Sequence, residues 1–326
     1  MSKKEHLKHH YIPQCYFRNF ANNNGKNIYT YDKIESKTYN SAISSICCID
    51  DFYSILPEFI NKENPNRRDE LAIECDYFAE YIEPMYSKVL SWLINRKNEC
   101  LRDESKNVGL SYEDKVVIAK YIVIQYLRLP HEREQTLEVH DDMMKQIIPM
   151  FKSLVANIEN QPEINDLQIG WETDPALLHA QYTFLNDEFA NEFAEALANN
   201  YWGFLVSEDS AYYTSDFPIT VEPHVPNVRP MFLGLTQYGA EMTFPISSEI
   251  VISIWDKEYF KDKSENDCKF YLVDKKEERR QNYFRYFYAR RQVFSLHNDF
   301  SLIELSKMVQ GGKHIFMGQC KNNKKQ

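Results

Sequence analysis

The spacing of apolar residues changes near residue 200, and this change constrains the fold more than any other feature of the sequence. Before it, apolar residues recur every three or four positions, which predicts helices over residues 68–97, 112–129, 132–157 and 174–199. After it, short β-branched and aromatic runs bounded by turn residues predict strands at 201–206, 211–214, 242–245, 250–254 and 269–273. Helices that precede strands indicate the α+β class rather than alternating α/β.

We therefore expect an α+β fold with a helix-rich N-terminal half and a mostly antiparallel sheet in the C-terminal half. The 326 residues suffice for a single large domain. A subdivision would place an N-terminal arm and the helical part in residues 1–200 and the sheet in 201–310, followed by a tail over 311–326. With 43% hydrophobic residues, including 22 Tyr and 20 Phe, the chain is not intrinsically disordered.

The first residues, MSKKEHLKHHYIP, carry charges but no apolar signal core, and no apolar run approaches the ~18 residues needed to span a bilayer. We expect a cytoplasmic protein without a membrane partner. Its seven cysteines lack paired CxxC spacing, which favours reduced structural thiols. The oligomeric state does not follow from these features.

Charge is unevenly distributed along a chain whose net charge is −10. Residues 41–256 carry a net charge of −21, whereas 1–40, 257–291 and 292–326 carry +4, +4 and +3. If the basic ends meet in the fold, an anion such as a phosphate has a place to bind. The alternative is that the acidic helices are ordinary solvated faces.

The opening segment HHYIPQCYFRNF concentrates polar residues beside a proline. His9 and His10 titrate near neutrality and can move a proton, while the guanidinium of Arg18 can clamp a carboxylate or a phosphate. Tyr11 and Gln14 add further hydrogen-bonding groups. The same segment could instead be an ordered arm whose aromatic side chains fill the core.

The predicted helix containing QYLRLP carries Gln125 and Arg128 three positions apart, and therefore on one face. A buried arginine requires an anionic partner or complete hydrogen bonding. That partner could be structural, with Glu74 and Glu83 as candidates, or it could be a bound anion or substrate.

A third concentration, TSDFP, places Ser215 and Asp216 at the end of a predicted strand. Asp216 could act as a general base, a metal ligand or the residue that orients a histidine. It could equally form an Asx turn, in which the carboxylate accepts backbone amides. The absence of an HExxH motif and of paired-cysteine spacing counts against a metal site. The absence of a Gly-rich phosphate loop and of a GxSxG elbow disfavours nucleotide kinases, Rossmann dehydrogenases and α/β-hydrolases.

The segment EERRQNYFRYFYARR interleaves arginines with aromatic residues over 277–291. This composition is suited to stacking and phosphate contact on single-stranded nucleic acid. It is equally typical of a core helix with charged edges.

Together, these stretches resemble the bacterial family called domain of unknown function 4238. The resemblance lies in HYIP and YFRNF at the start, IEPMY at 82–86, QYLRLP at 125–130, Trp202, TSDFP at 214–218, and Asn282 with the ARRQVFS that follows it. The family name assigns no activity, so no catalytic residue is inherited from it. The family pattern implies that His10, Arg128 and Asp216 are the groups to consider first.

We expect the three polar motifs to converge on one pocket, because buried polar groups without partners cost about 1 to 3 kcal/mol each. The leading hypothesis is a nuclease-like phosphodiester hydrolase acting on RNA or DNA, as in a phage-defence effector. His10 would be the general acid or base, Asp216 its orienter or a metal ligand, and Arg128 the phosphate clamp. The candidate substrate-binding residues are His9, Tyr11, Gln14, Arg18, Gln125, Ser215 and Asn282.

Two alternatives remain open at this level. The same pocket could hold a nucleotide without turnover, as in a sensor module, or the three motifs could form a buried structural network. The partner would be a nucleic acid or a nucleotide under the first two hypotheses. Neither a cofactor nor a metal can be named from the sequence.

Overall fold

The computed structural model describes residues 7–22, 25–60, 67–103, 105–225 and 237–303. Its α-helices are α1 (Gln14–Phe17), α2 (Arg67–Glu70), α3 (Glu83–Arg102), α4 (Tyr112–Leu127), α5 (Pro130–Ile158), α6 (Pro175–Tyr182), α7 (Asp187–Ala198) and α8 (Lys275–Tyr288). A π-helix spans Ile73–Ile82, and 3₁₀ helices span Arg18–Phe20, Ile43–Ser45, Pro57–Phe59, Pro162–Asp166 and Lys261–Asn266.

The strands are β1 (Lys8–His10), β2 (Asn27–Asp32), β3 (Lys37–Ala42), β4 (Cys48–Asp50), β5 (Tyr201–Val206), β6 (Thr214–Ser215), β7 (Thr220–Pro223), β8 (Ala240–Pro245), β9 (Ile250–Trp255), β10 (Lys269–Leu272) and β11 (Gln292–Ser295). Helices and strands together confirm the α+β class. Strands also lie among the first fifty residues, so the predicted order of helices first and strands second holds only in part.

The strands form three sheets. The largest has the order β10-β5-β9-β8-β7, in which only the β10–β5 pair is parallel. An antiparallel sheet has the order β3-β2-β11-β6, and β1 pairs with β4 in an antiparallel ribbon. The predicted antiparallel character is therefore confirmed.

The chain divides into two compact units built from interleaved segments. The first comprises the residues up to Ile12, Cys48–Tyr86 and Lys120–Glu192. The second comprises Pro13–Cys47, Ser87–Ala119 and the residues from Phe193 onward. The subdivision near residue 200 stays a prediction, and the predicted tail over 311–326 lies outside the described residues.

In the second unit, the central strands of the largest sheet are apolar almost throughout. Every residue of β8 and β9 is buried, as are five of the six residues of β5. A strand with both faces covered tolerates few polar side chains, which explains why residues 250–255 are apolar except for Ser253. The strand at the exposed edge, β7, is only partly buried, and polar side chains there can reach solvent.

In the first unit, an aromatic cluster holds the N-terminal arm. The ring of Tyr53 lies 4.9 Å from that of Phe78, and Phe78 lies 5.0 Å from Phe184. Because β4 pairs with β1, Tyr53 follows the ribbon directly and its backbone N–H donates to Nδ1 of His9 at 2.8 Å. The arm is therefore fixed beside a buried apolar cluster.

Two further expectations can be compared with the described residues. Their six cysteines are free thiols, as expected. None of the described helices combines the length and apolar character that a membrane crossing requires. The sequence also predicts a last helix over 299–309, of which residues 304–309 lie outside the described residues.

Candidate functional site

Arg128 lies at the end of α4 in the first unit and is 1% exposed. Its Nη1 donates to Oε1 of Glu83 at 3.2 Å, and its Nη2 donates to the backbone carbonyl of His10 at 2.5 Å. The guanidinium carbon lies 3.8 Å from the ring centroid of Phe78. Glu83 as the partner of Arg128 is thereby confirmed, and both terminal nitrogens of the guanidinium are engaged.

The structure brings His9, His10, Tyr11 and Gln125 to the same part of the first unit. Gln125 donates from Nε2 to the carbonyl of Tyr11 at 3.2 Å, so α4 holds the arm through two consecutive backbone carbonyls. His9 is buried, and this burial lowers its pKa, which keeps the imidazole neutral. These contacts fix the arm, and a catalytic role for His10 stays a prediction.

Asp216 belongs to the second unit, where its carboxylate is hydrogen-bonded to backbone. Oδ1 accepts the N–H of Arg290 at 2.8 Å, while Oδ2 accepts those of Arg291 and Gln292 at 2.7 and 2.9 Å. Burial raises the pKa of Asp216, and these three hydrogen bonds oppose that rise. The carboxylate therefore accepts backbone amides, as in the Asx-turn alternative, but these amides belong to the chain between α8 and β11 and not to the turn that follows Asp216.

Ser215 and Asn282 also bind backbone in this unit. Ser215 Oγ accepts the N–H of Phe217 at 3.1 Å and donates to its carbonyl at 2.8 Å. Asn282 accepts the N–H of Tyr213 and donates to the carbonyl of Ala211, each at 2.8 Å. Of the remaining predicted substrate-binding residues, Gln14 is half-buried and Arg18 is exposed.

A second group of polar side chains in this unit lies at the exposed edge of the largest sheet. Glu222 on β7 is directly opposite Glu241 on β8. Two carboxylates at opposed positions repel each other unless a cation lies between them. Arg280 of α8 provides that cation, because its Nη2 donates to Oε2 of Glu222 at 3.0 Å and also to Oε2 of Glu241.

His224 completes this group one residue beyond β7. Its Nε2 lies 2.8 Å from Oε2 of Glu241, and its backbone N–H donates to the carbonyl of Gly239 at 2.8 Å. The ring of Phe260 packs edge-on at 4.9 Å. The side chain is 31% exposed, whereas that of Glu241 is 4% exposed. A buried carboxylate thus fixes the imidazole at Nε2, while the side chain as a whole remains partly exposed to solvent.

The charge state of Glu241 determines the tautomer of His224. Burial alone would raise the pKa of Glu241, but hydrogen bonds from His224 and Arg280 outweigh burial and lower the pKa to about 2. An ionised carboxylate only accepts hydrogen bonds, so Nε2 of His224 must carry a hydrogen. In the neutral ring, Nδ1 then holds the lone pair, and no described residue hydrogen-bonds to it.

Glu222 differs from Glu241 in the direction of its pKa shift. Burial raises the pKa of Glu222, although the positive charge of Arg280 opposes the rise. Burial alone would lower the pKa of Arg280, but the hydrogen bond and the ion pair with Glu241 outweigh burial, so the pKa is raised. The site therefore contains a fixed cation, an imidazole held by a buried carboxylate and a second carboxyl group whose pKa is raised.

The same three residues could hold a metal ion. The ligand atoms of Glu222, His224 and Glu241 all lie within 4.8 Å of one another. One imidazole and two carboxylates suit a divalent cation such as Mn²⁺ or Zn²⁺. The guanidinium of Arg280, however, already contacts both carboxylates, so a bound cation would have to displace it.

Reasoning from the sequence did not identify this group. The spacing Glu222-Pro-His224 places two polar side chains on one face of a strand, and this is a signal that the sequence does contain. Glu241 and Arg280 are distant along the chain, and only the strand register and the packing of α8 bring them to the same place.

Comparisons with known proteins agree with the resemblance seen in the sequence. The family model described as "Protein of unknown function (DUF4238)" matches residues 8–299. No curated protein and no solved structure matches the chain. The family match therefore covers the greater part of both units and assigns no activity.

Proposed function

We propose that this chain, which belongs to the DUF4238 family, is a phosphodiester hydrolase with its active site at His224, Glu241 and Arg280. The observation that carries the proposal is the pair formed by the half-exposed imidazole and the buried, ionised carboxylate. A carboxylate that fixes one ring nitrogen leaves the other as a general base, and an adjacent arginine can neutralise phosphoryl oxygens.

In the proposed reaction, Nδ1 of His224 removes a proton from the attacking water or hydroxyl. The new P–O bond forms as the bond to the leaving oxygen breaks, and Arg280 stabilises the additional negative charge on the phosphoryl oxygens. Glu222 is the proton donor to the leaving oxygen, because burial raises its pKa and it lies within the same cluster.

The outer face of α8 favours nucleic acid as the substrate class. Successive residues of a helix are rotated by 100°, which places one set of side chains of α8 on the same face as Arg280: Lys276, Arg279, Tyr283 and Phe287. The buried residues of the helix lie mostly on the opposite face. The rings of Tyr283 and Phe287 have centroids 6.0 Å apart. Neither Lys276 nor Arg279 is in an ion pair with another described residue. This face can stack bases and contact phosphates beside the site.

Substitution of His224 tests the proposal. We expect His224→Asn to lower hydrolysis of bis(p-nitrophenyl) phosphate and of end-labelled single-stranded RNA and DNA by at least ~100-fold, because the general base is lost. His297→Asn, an exposed histidine of the same unit, is the matched control and should retain activity. The melting temperature of each variant should stay within a few degrees of the wild type.

The assays are run with chelator and with added Mg²⁺ or Mn²⁺. Full activity of His224→Asn would contradict the proposed site, and loss of activity in His10→Ala alone would favour the site predicted from the N-terminal motif. Tight binding of an oligonucleotide without product under every metal condition would favour the second candidate, a nucleic-acid-binding module, for which the α8 face is the supporting observation.

A further inference from the structure

The longest helix of the first unit, α5, exposes an apolar face. Its residues 139–158 include seven large apolar side chains that are between 38% and 72% exposed: Val139, Met143, Ile147, Met150, Phe151, Leu154 and Ile158. Their spacing of mostly three or four positions puts them on one face of the helix. Large contiguous apolar patches are rare on monomeric proteins and mark interaction surfaces.

The charged residues of this part of α5 lie on the other side of the helix. At 100° per residue, Glu138, Asp141, Asp142, Lys145 and Lys152 all fall outside the apolar face. Lys145 pairs with Asp141 at 2.6 Å on that polar side. A face of about 30 Å that carries apolar groups but no charge is suited to burial against another apolar surface.

We propose that the α5 face pairs with the α5 face of a second copy of this chain in a two-fold symmetric dimer. Seven side chains with this exposure offer on the order of 700 Å² per copy, close to the ~800 Å² per partner of a stable interface. A two-fold interface uses the same patch on both copies, so the exposed face supplies both halves of it.

We place the two helices antiparallel, because the positive N-terminal end of each helix dipole then points toward the negative C-terminal end of its copy. The exposed apolar side chains run from Val139 to Ile158, and Met150 lies near the middle of this stretch. The two-fold axis of the antiparallel pair therefore passes near Met150, and the charged residues on the other side of α5 stay outside the interface.

Light scattering after size exclusion tests the dimer with the full-length chain. We expect the wild type at micromolar concentration to have twice the monomer mass of 38.7 kDa. Met150→Glu/Leu154→Glu should raise the dissociation constant at least ~10-fold, because it places four carboxylates in the interface. Lys145→Glu on the polar side changes the net charge by the same amount and should leave the dimer intact.

A second variant keeps the test decisive if the double substitution disturbs folding. Met150→Cys should form a disulfide between copies under oxidation, since the two-fold axis brings the two positions together. The wild type, with its own cysteines, is the control. A wild type that stays monomeric would overturn the proposal, as would a dimer that survives Met150→Glu/Leu154→Glu or a Met150→Cys protein that cross-links no more than the wild type.

Discussion

At the residue scale, Glu74 has the most strongly shifted pKa among the described carboxyl groups of the first unit. Burial raises its pKa to about 7, although the positive charge of Arg128 acts to lower the pKa. The Oε2 atom of Glu74 is buried without a hydrogen-bond partner. Unfolding returns the pKa to about 4.5. The folded state therefore loses stability as the pH rises from about 4.5 to about 7, because ionisation is then easier in the unfolded chain.

We predict that Glu74→Gln removes this loss. The variant should match the wild type in free energy of unfolding near pH 4.5 and exceed it at pH 8 by on the order of 3 kcal/mol. Urea unfolding at the two pH values measures the difference. The exposed Glu138→Gln in the same unit is the control and should show no such pH dependence. Equal stability of wild type and Glu74→Gln at pH 8 would contradict the assignment.

At the scale of elements, the hairpin of β7 and β8 depends on α8 because Arg280 lies between two opposed glutamates. We predict that Arg280→Gln lowers the free energy of unfolding by on the order of 2 kcal/mol, since it leaves Glu222 and Glu241 facing each other without a cation. The same substitution frees the carboxylates and His224 to bind Mn²⁺.

The melting temperature with and without Mn²⁺ measures both effects. Mn²⁺ should raise the melting temperature of Arg280→Gln more than that of the wild type, because ligand binding to the folded state stabilises it. Arg279→Gln changes the adjacent arginine, which forms no ion pair within the described part of the chain; it is the matched control and should respond like the wild type. An identical Mn²⁺ response in Arg280→Gln and the wild type would exclude a metal at this cluster.

Elements with strong apolar patterns could be predicted from the sequence, and polar ones could not. The run at 201–206 matches β5, and the predicted helix at 132–157 lies within one to two residues of α5. The strand β3 was missed because KTYNSA is nearly all exposed and therefore carries no apolar alternation. The predicted helix over 174–199 is divided between α6 and α7, a break that a continuous helical spacing does not reveal.

At the scale of the whole molecule, the sequence identified groups of polar residues. It could not show which of these residues lie close together in the folded chain. His10 and Arg128 meet through a backbone carbonyl, a contact to which side-chain chemistry gives no clue. Asp216 binds three consecutive N–H groups more than seventy residues away, and an Asx-type role of this kind depends on tertiary contacts. The cluster at His224 likewise requires the register of β7 and β8.

The net charge of −10 also bears on how a nucleic acid could bind, because a chain with a net negative charge repels phosphates at long range. Among the exposed cations of α8, two form no ion pair with any described residue: Lys276 and Arg279. Two phosphate contacts predict that the logarithm of the affinity for a single strand falls with the logarithm of the salt concentration with a slope of about −1.4.

Fluorescence anisotropy of a labelled oligothymidylate between low and high KCl measures this slope. Arg279→Gln should reduce its magnitude by about 0.7, because one released counterion is lost. Tyr283→Leu should weaken binding without changing the slope, since a stacking contact carries no charge. Lys152→Gln, a cation outside the second unit, is the control and should change neither quantity. A slope near zero, or one that Arg279→Gln leaves unchanged, would place nucleic-acid binding elsewhere on the molecule or exclude it.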